Sequence, residues 1–410
     1  MACVYVHDFA GHPFQAELSR RLTDLGHVVR HTYAAEYTSG KGDFRSEPGV
    51  TFTPVSVGQP LQKYSFRQRT DYEVRFAAQL ARDLRAADPD VVILCNTPLV
   101  VLSAVTRYLK RRRVPWILWH QDVYSAGMSA EVRRRLPAPV ARPLAALIRS
   151  SERASCLRAA SIVAIGPGFL PHYEAWRVPM DRVSVVPNWA PLDQITPAER
   201  DNEWARESGL TPEPLRLVYA GTLGRKHRPL LLIELHEALR RRGIDTSLVV
   251  VSEGAGADEI RQHASDGVVV LPFQEAYKLP LVLASGDVLV ALLESDAAEY
   301  SIPSKVLSYL AAGRPVIGMM PSSNPAAHDI EACGGAVVPP TSDGAEAAAS
   351  WVATTTASDR QVIGTDARRY AEQQFAVEQK VQQFDDLVRS LLPGDYRAQR
   401  RRNDSSSCSV

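Results

Sequence analysis

Short aliphatic runs recur along the chain, each followed by a polar turn and then by apolar residues at helical spacing. The clearest case spans Val288 to Gly318. Val288 to Leu293 is unbroken and apolar, with the length and aliphatic character of a buried strand. Glu294 to Ile302 is polar and reads as a loop. Pro303 then opens a predicted helix in which Val306, Leu307, Leu310 and Ala311 recur at helical spacing, and Gly313 closes it before another short strand. The loop delivers Ser301, Ser304 and Lys305 to the helix N-terminus, where free N–H groups, the dipole and a full positive charge make an anion site. A strand–helix–strand unit with a solvated Ser–Lys cap is the plainer reading of the same residues.

The layout repeats. Cys3 to Val6 reads as a first strand, "HDFAGHPF" as its loop, then an amphipathic helix, a glycine stop and a second strand, which is the opening of a doubly wound sheet. The loop lacks GxGxxG, so no dinucleotide fingerprint is present; His12 in it is a group facing a ligand or a cap. "PDVVILCNTPL" is a buried strand ending at Asn96 and Thr97. Pro115 to Trp119 is the next, with His120, Gln121 and Asp122 clustered past its end, where open α/β sheets bind ligands. In the second half, a strand to Ala220 runs into Gly221, Thr222, Gly224, Arg225 and Lys226 and then an apolar helix. Glycines let a backbone approach an anion and the cations neutralise it, although a Lys–Arg pair in a loop is also an ordinary solvated charge run. "TSLVVVSEGAG", with Gly254 and Gly256, and "VVVLPFQEAYK" repeat the pattern.

Two stretches break it. From Tyr37 to Thr70 the chain is polar and irregular, with Lys63, Arg67 and Arg69 interleaved with Tyr64 and Phe66, and reads as a long loop, functional or solvated. From Ser129 to Ala160 arginines mix with Leu, Ile and Ala, interrupted by Pro137, Pro139 and Pro143. A basic amphipathic helix of this kind fits a membrane surface, with Lys110 to Arg113 adding to the same face; a helix packed on its own sheet reads identically.

Length then implies two domains, since 410 residues exceed one typical core. With 45% hydrophobic and 23% charged residues the chain has globular composition, and a net charge of +1 argues against a nucleic-acid binder. Five scattered cysteines without a CxxC pair point to a reduced, cytosolic protein without a cysteine metal site. No N-terminal signal and no spanning apolar run is read, so a soluble or membrane-peripheral protein is expected.

"PSKVLSYLAAGRPV" and "GTLGRKH" resemble the donor-site segments of the family 4 glycosyltransferases, retaining enzymes of the GT-B fold, in a subgroup with PSK and GTLGxKH motifs. The resemblance implies an α/β architecture of two doubly wound Rossmann-like domains facing across a cleft. It implies a donor set of Gly11, Gly221, Thr222, Arg225, Lys226, Gly254, Phe273, Gln274, Glu299, Tyr300, Ser301, Ser304, Lys305 and Ser308. Phe273 and Gln274 fall where the family flanks the nucleotide base, though Phe273 also suits a core. The family's two glutamates are missing: Tyr300, beside Glu299, takes the first position and Ser308 the second. Asp122 matches the Asp of a His-Asp pair near the transferred sugar, Gln121 takes the His position and His120 lies one residue early; with Lys226 these are the catalytic candidates.

The implied reaction is transfer of a hexosyl or N-acetylhexosaminyl group from a nucleotide diphosphate sugar, UDP-linked by expectation, to a lipid-linked or other glycan or small-molecule acceptor. No metal or cofactor is expected, as there is no DxD and Asp296 stands alone. The expected domains are 1–190 for the acceptor, 191–214 as linker, 215–375 for the nucleotide sugar, 376–395 as a helix crossing back, and 396–410 as a disordered tail. The setting expected is polysaccharide biosynthesis at the cytoplasmic side of a membrane, with no nucleic-acid partner. Two rivals stand beside this reading: an epimerase of the same fold, which needs an acid/base carboxylate pair, and a silent nucleotide-sugar-binding subunit, which the missing glutamates would suit.

Overall fold

The computed structural model describes residues 1–37, 42–61, 66–224, 227–295 and 303–392. The chain forms two compact units, one from residues 1–187 together with the last helix from Glu378, the other from Asn188–Val377. In the first, seven parallel strands run β1 Cys3–Asp8, β2 Val28–Ala34, β3 Val50–Val55, β4 Val91–Cys95, β5 Trp116–His120, β6 Ser161–Ala164 and β7 Val183–Val185. Their order in the sheet is β3-β2-β1-β4-β5-β6-β7. The second unit carries β8 Leu215–Ala220, β9 Thr246–Val251, β10 Val268–Leu271, β11 Val288–Leu292, β12 Val316–Met319 and β13 Ala336–Val338. Their order is β10-β9-β8-β11-β12-β13. Both are doubly wound Rossmann-like sheets, and in each the winding direction reverses beside the first strand, between β1 and β4 and between β8 and β11.

Helices cover both faces, so β4 and β11 are apolar throughout rather than alternating. In β11, Leu289 and Ala291 pack with Tyr309 and Leu310 on one side. Val288, Val290 and Leu292 pack with Leu231 and Leu235 on the other. Residues 191–214, expected as a linker, fold into the second unit, because Ile195, Trp204 and Ala205 are buried in the same core as β11.

Several element boundaries differ from expectation. The stretch from Tyr37 to Thr70 contains β3, a parallel edge strand on β2, and the start of the helix Phe66–Ala87. Val50, Phe52 and Val55 of β3 face inward, and the edge position accommodates Pro54. Lys63 and Tyr64 fall outside the described residues. The helix after β11 is Lys305–Ala311, so Pro303 precedes the cap residue Ser304 instead of opening the helix. The strand expected to end at Trp119 runs to His120, which pairs with Ala164.

The stretch from Ser129 to Ala160 lies in two helices, Tyr124–Arg135 and Ala138–Cys156, separated at Leu136 and Pro137. Lys110 to Arg113 end the helix Leu99–Arg112 at the start of β5, the edge of the sheet opposite to the β5 loop. The two basic groups therefore do not share a face.

The last helix, Val377–Leu391, packs on the first unit, where the Phe384 ring lies 4.6 Å from that of Trp119. Asp385 Oδ1 accepts from His27 Nε2 at 2.6 Å and its Oδ2 accepts from Arg389 Nε at 2.6 Å. Burial pushes the Asp385 carboxyl up, but these hydrogen bonds outweigh burial and hold it below the ordinary aspartate value. The pair thus stabilises at neutral pH, and the contribution fades as pH falls below about 4. Asp385→Ala should cost about 3 kcal/mol in urea unfolding, because it strands the buried His27 imidazole and removes a partner of Arg389. The exposed neighbour Asp386→Ala should cost less than about 0.5 kcal/mol.

Candidate functional site

In a doubly wound sheet, ligands bind beyond the strand ends where the winding reverses. In the second unit that point lies between the loops after β8 and β11. Gly221 closes β8 with φ +137°, and a Cβ there would stand 3.3 Å from Lys305 Cε. Only glycine allows both that backbone and that approach. The Lys305 ammonium lies 4.1 Å from the centre of the Tyr219 ring and donates to its hydroxyl. Tyr219 in turn donates to the Thr222 carbonyl at 2.9 Å. Burial raises the Tyr219 phenol well above its usual range, so it stays a neutral partner for the cation. Tyr309, one turn into the helix Lys305–Ala311, donates to the Ala220 carbonyl at 3.0 Å and accepts from the Ala220 amide at 2.9 Å. These bonds tie the end of β8 to the helix Lys305–Ala311.

Gly221, Thr222 and Lys305 of the predicted donor set are therefore neighbours. Gly254, at φ +88°, opens the adjoining turn, whose Gly256 packs so closely on Leu223 that a Cβ would meet it at 2.6 Å. Phe273 is half-buried and its amide donates to Glu253 at 3.1 Å, linking the loops after β9 and β10. Gln274 accepts from Trp204 Nε1 at 3.1 Å and donates to the Pro272 carbonyl at 2.9 Å, so its amide group braces its own loop. Ser304 and Ser308 are half-buried at the start and middle of the helix after β11. Arg225, Lys226, Glu299, Tyr300 and Ser301 lie outside the described residues.

In the first unit the reversal point joins β1 to β4 through Asp8, a fully buried carboxylate absent from the predicted set. Its oxygens accept from the amides of Ala10 and His12 and from Asn96 Nδ2 at 2.8 Å. Burial raises its carboxyl above the ordinary value, against the pull of His12 and these donors. Asn96, held in the left-handed region at φ +50°, also brings Nδ2 within 3.1 Å of His12 Nδ1. Gly11 sits in the same loop at φ +75°.

Gln121 is buried and Asp122 half-buried just past β5. His120 lies inside the unit: Nδ1 is 2.8 Å from the Tyr173 hydroxyl and Nε2 is 3.2 Å from Glu152. Glu152 also accepts from the amides of Tyr124 and Ser125 at 2.9 Å, capping the helix that follows. Burial and the nearby Asp122 raise the Tyr124 phenol well above its usual range. Asp8, Glu152, Tyr219 and Tyr309 were not singled out by the sequence reading. A charged residue at the end of a buried strand, and a lone acid on the inner face of an arginine-rich helix, are the signals that point to Asp8 and Glu152.

Residues 11–189 match the family described as Glycosyl transferase 4-like domain, and residues 214–355 match Glycosyl transferases group 1. No curated protein matches the chain. Sucrose-phosphate synthase from Thermosynechococcus elongatus superposes with a TM-score of 0.71 at 13% identity, covering 95% of this chain and 99% of that one. HepE of Anabaena, in complex with UDP-glucose, gives 0.68 at 14% identity over 95% of this chain and 100% of that one. The lipopolysaccharide outer core galactosyltransferase WaaB, in its apo form, gives 0.54 at 14% identity over 96% and 100%. At these identities the likeness establishes the fold.

Gly221→Ala should lower the melting temperature by the equivalent of about 1–3 kcal/mol, since it strains the turn and pushes on the Lys305 stem. Gly224→Ala is the control: its nearest neighbour is His227 Nδ1 at 4.0 Å, and near-wild-type melting is expected. Equal effects from the two changes would contradict the packing described.

Proposed function

We propose, on the premise that this chain is a glycosyltransferase with two GT-B-type domains, that it moves a hexosyl or N-acetylhexosaminyl group from a UDP-linked sugar to a lipid-linked or other glycan acceptor. The anomeric configuration is retained and no metal is required. The observation that carries the reading is Lys305, held by Tyr219 against the Gly221 turn where the winding of the second sheet reverses. An ammonium fixed beside a glycine turn suits a diphosphate, whose charge grows as the sugar leaves. Arg225 and Lys226, next along that turn, supply further positive charge. The UDP-glucose bound to HepE supports a donor of this class.

In the retaining path the bond from the anomeric carbon to the diphosphate oxygen breaks, and the acceptor oxygen bonds to that carbon on the same face. The acceptor proton passes to the departing diphosphate. Cations and N–H donors at the phosphates then take the place of an enzymic base opposite the leaving group. Asp122 orients the transferred sugar, with Gln121 beside it. The work takes place at the cytoplasmic side of a membrane, in glycan assembly.

Lys305→Met should lower kcat/KM by about 10²–10³-fold, because it removes a charge that acts on the leaving group. Arg225→Ala with Lys226→Ala should cost at least as much. Proton NMR of the product should show the anomeric coupling of the donor, and EDTA should leave the rate unchanged. An inverted coupling, or EDTA inhibition reversed by manganese, would sink retention without metal. Sugar epimerisation without transfer, or binding without turnover, would favour one of the two rival activities instead.

A further inference from the structure

The helix pair after β5 is longer than the sheet it serves. Glu152 accepts the amides of Tyr124 and Ser125 and contacts His120, the last residue of β5, so it stands level with the strand end. Only one further turn, to Cys156, is needed before Ala160 donates to the Trp116 carbonyl at the other end of β5. The stretch from Ala138 to Glu152 therefore extends beyond the sheet, by about 21 Å at 1.5 Å per residue. It projects from the same edge that carries Asp8, Asn96 and Asp122.

Within this projection the two helices bury only small side chains: Ser125 and Ser129 on one, Ala141 and Ala145 on the other. Small residues at four-residue spacing let the helices approach closely and leave the larger side chains outside. Leu136, Val140 and Leu147 are 37%, 53% and 66% exposed. Val140 and Leu147 are two turns apart and share one side; Arg142 and Arg149, also two turns apart, share another, and both are exposed. Arg133, Arg134 and Arg135 stand at the tip. From Tyr124 to Ser151 the only acid is Glu131, which pairs with Arg134 and Arg135. Exposed leucine and valine beside Arg133, Arg142 and Arg149, which form no ion pair among the described residues, is the composition of a helix that lies in a lipid interface.

We infer that this helical hairpin docks the protein on an anionic bilayer surface, with Leu136, Val140 and Leu147 entering the interface and the arginines meeting lipid phosphates. The inference rests on the lipid-linked-acceptor reading only for its purpose: docking would bring the binding edge of the first unit to an acceptor held in the membrane. Among the described residues no helix is long and apolar enough to cross a membrane, so attachment of this kind is peripheral.

The test is flotation of the full-length protein with phosphatidylcholine vesicles, with and without about 30% phosphatidylserine, at low and high salt. Wild type should float with the anionic vesicles at low salt and be released by salt. Arg142→Glu with Arg149→Glu should weaken partitioning at least about tenfold, and Val140→Ser with Leu147→Ser should weaken it without changing charge. Lys110→Glu with Arg111→Glu, at the opposite edge of the sheet, should float like wild type. All sites are exposed, and far-UV circular dichroism confirms that each variant is folded. Absence of flotation at low salt would overturn the inference, as would loss on changing Lys110 and Arg111 but not the hairpin. Sugar transfer to a water-soluble acceptor is followed in parallel. Transfer without flotation removes the docking alone, whereas flotation without transfer supports the docking and removes the transferase reading.

Discussion

Both sheets are covered on both faces, and that constraint places everything else. With Leu289 and Ala291 committed to one helical layer and Val288, Val290 and Leu292 to the other, β11 has no face to spare for a polar side chain. Chemistry is confined to the loops past the strand ends. There it meets a second constraint, because a polar group buried without a partner costs about 1–3 kcal/mol. The two units answer it differently. In the first, the Asp8 carboxylate gathers two amides and the Asn96 side chain around one buried charge. In the second, two buried tyrosines do the joining: Tyr309 pairs with both backbone groups of Ala220, and Tyr219 bridges Lys305 and Thr222.

The difference has an electrostatic meaning. A phenol raised out of its titration range by burial is a fixed neutral dipole, and it can hold a lysine in place without cancelling its charge. A carboxylate at the same point would pair with Lys305 and neutralise it. The first unit presents the opposite sign, a buried acid with Asp122 near the same strand ends. The strand-end loops of the two units thus carry charge of opposite sign, Lys305 in the second and Asp8 with Asp122 in the first.

Much of this could be read from sequence because it is local. The aliphatic strands, the glycine turn after β8 and the Lys305 helix are each specified within a few residues, and Gly221 is dictated by its own backbone angle. Boundaries slipped where two local signals compete. Pro303 suits a first helical position, yet the chain turns once more before the helix begins at Lys305. His120 follows two tryptophan-flanked aliphatics and reads as loop, yet it pairs with Ala164 and is buried. What could not be read were pairings over distance. Asp8 and Asn96 are 88 residues apart, and His120 and Glu152 are 32 apart. Only the strand order says which loops meet. The edge strand β3 was missed for a related reason: with one neighbour it needs only half a pattern, and its polar surroundings hid it.

The last helix of the chain has a consequence for synthesis. The first unit is assembled from residues 1–187 and the helix that follows the second unit, and Phe384 supplies part of the packing around Trp119 while Asp385 supplies the partner of buried His27. A ribosome releases the second unit complete before that helix emerges. The unit made first is therefore finished last, and until residue 391 is out it holds a partly uncovered tryptophan and a histidine without its Asp385 partner. In the nascent chain the order of folding runs against the order of translation, and the early half is the one that needs protection from aggregation while it waits.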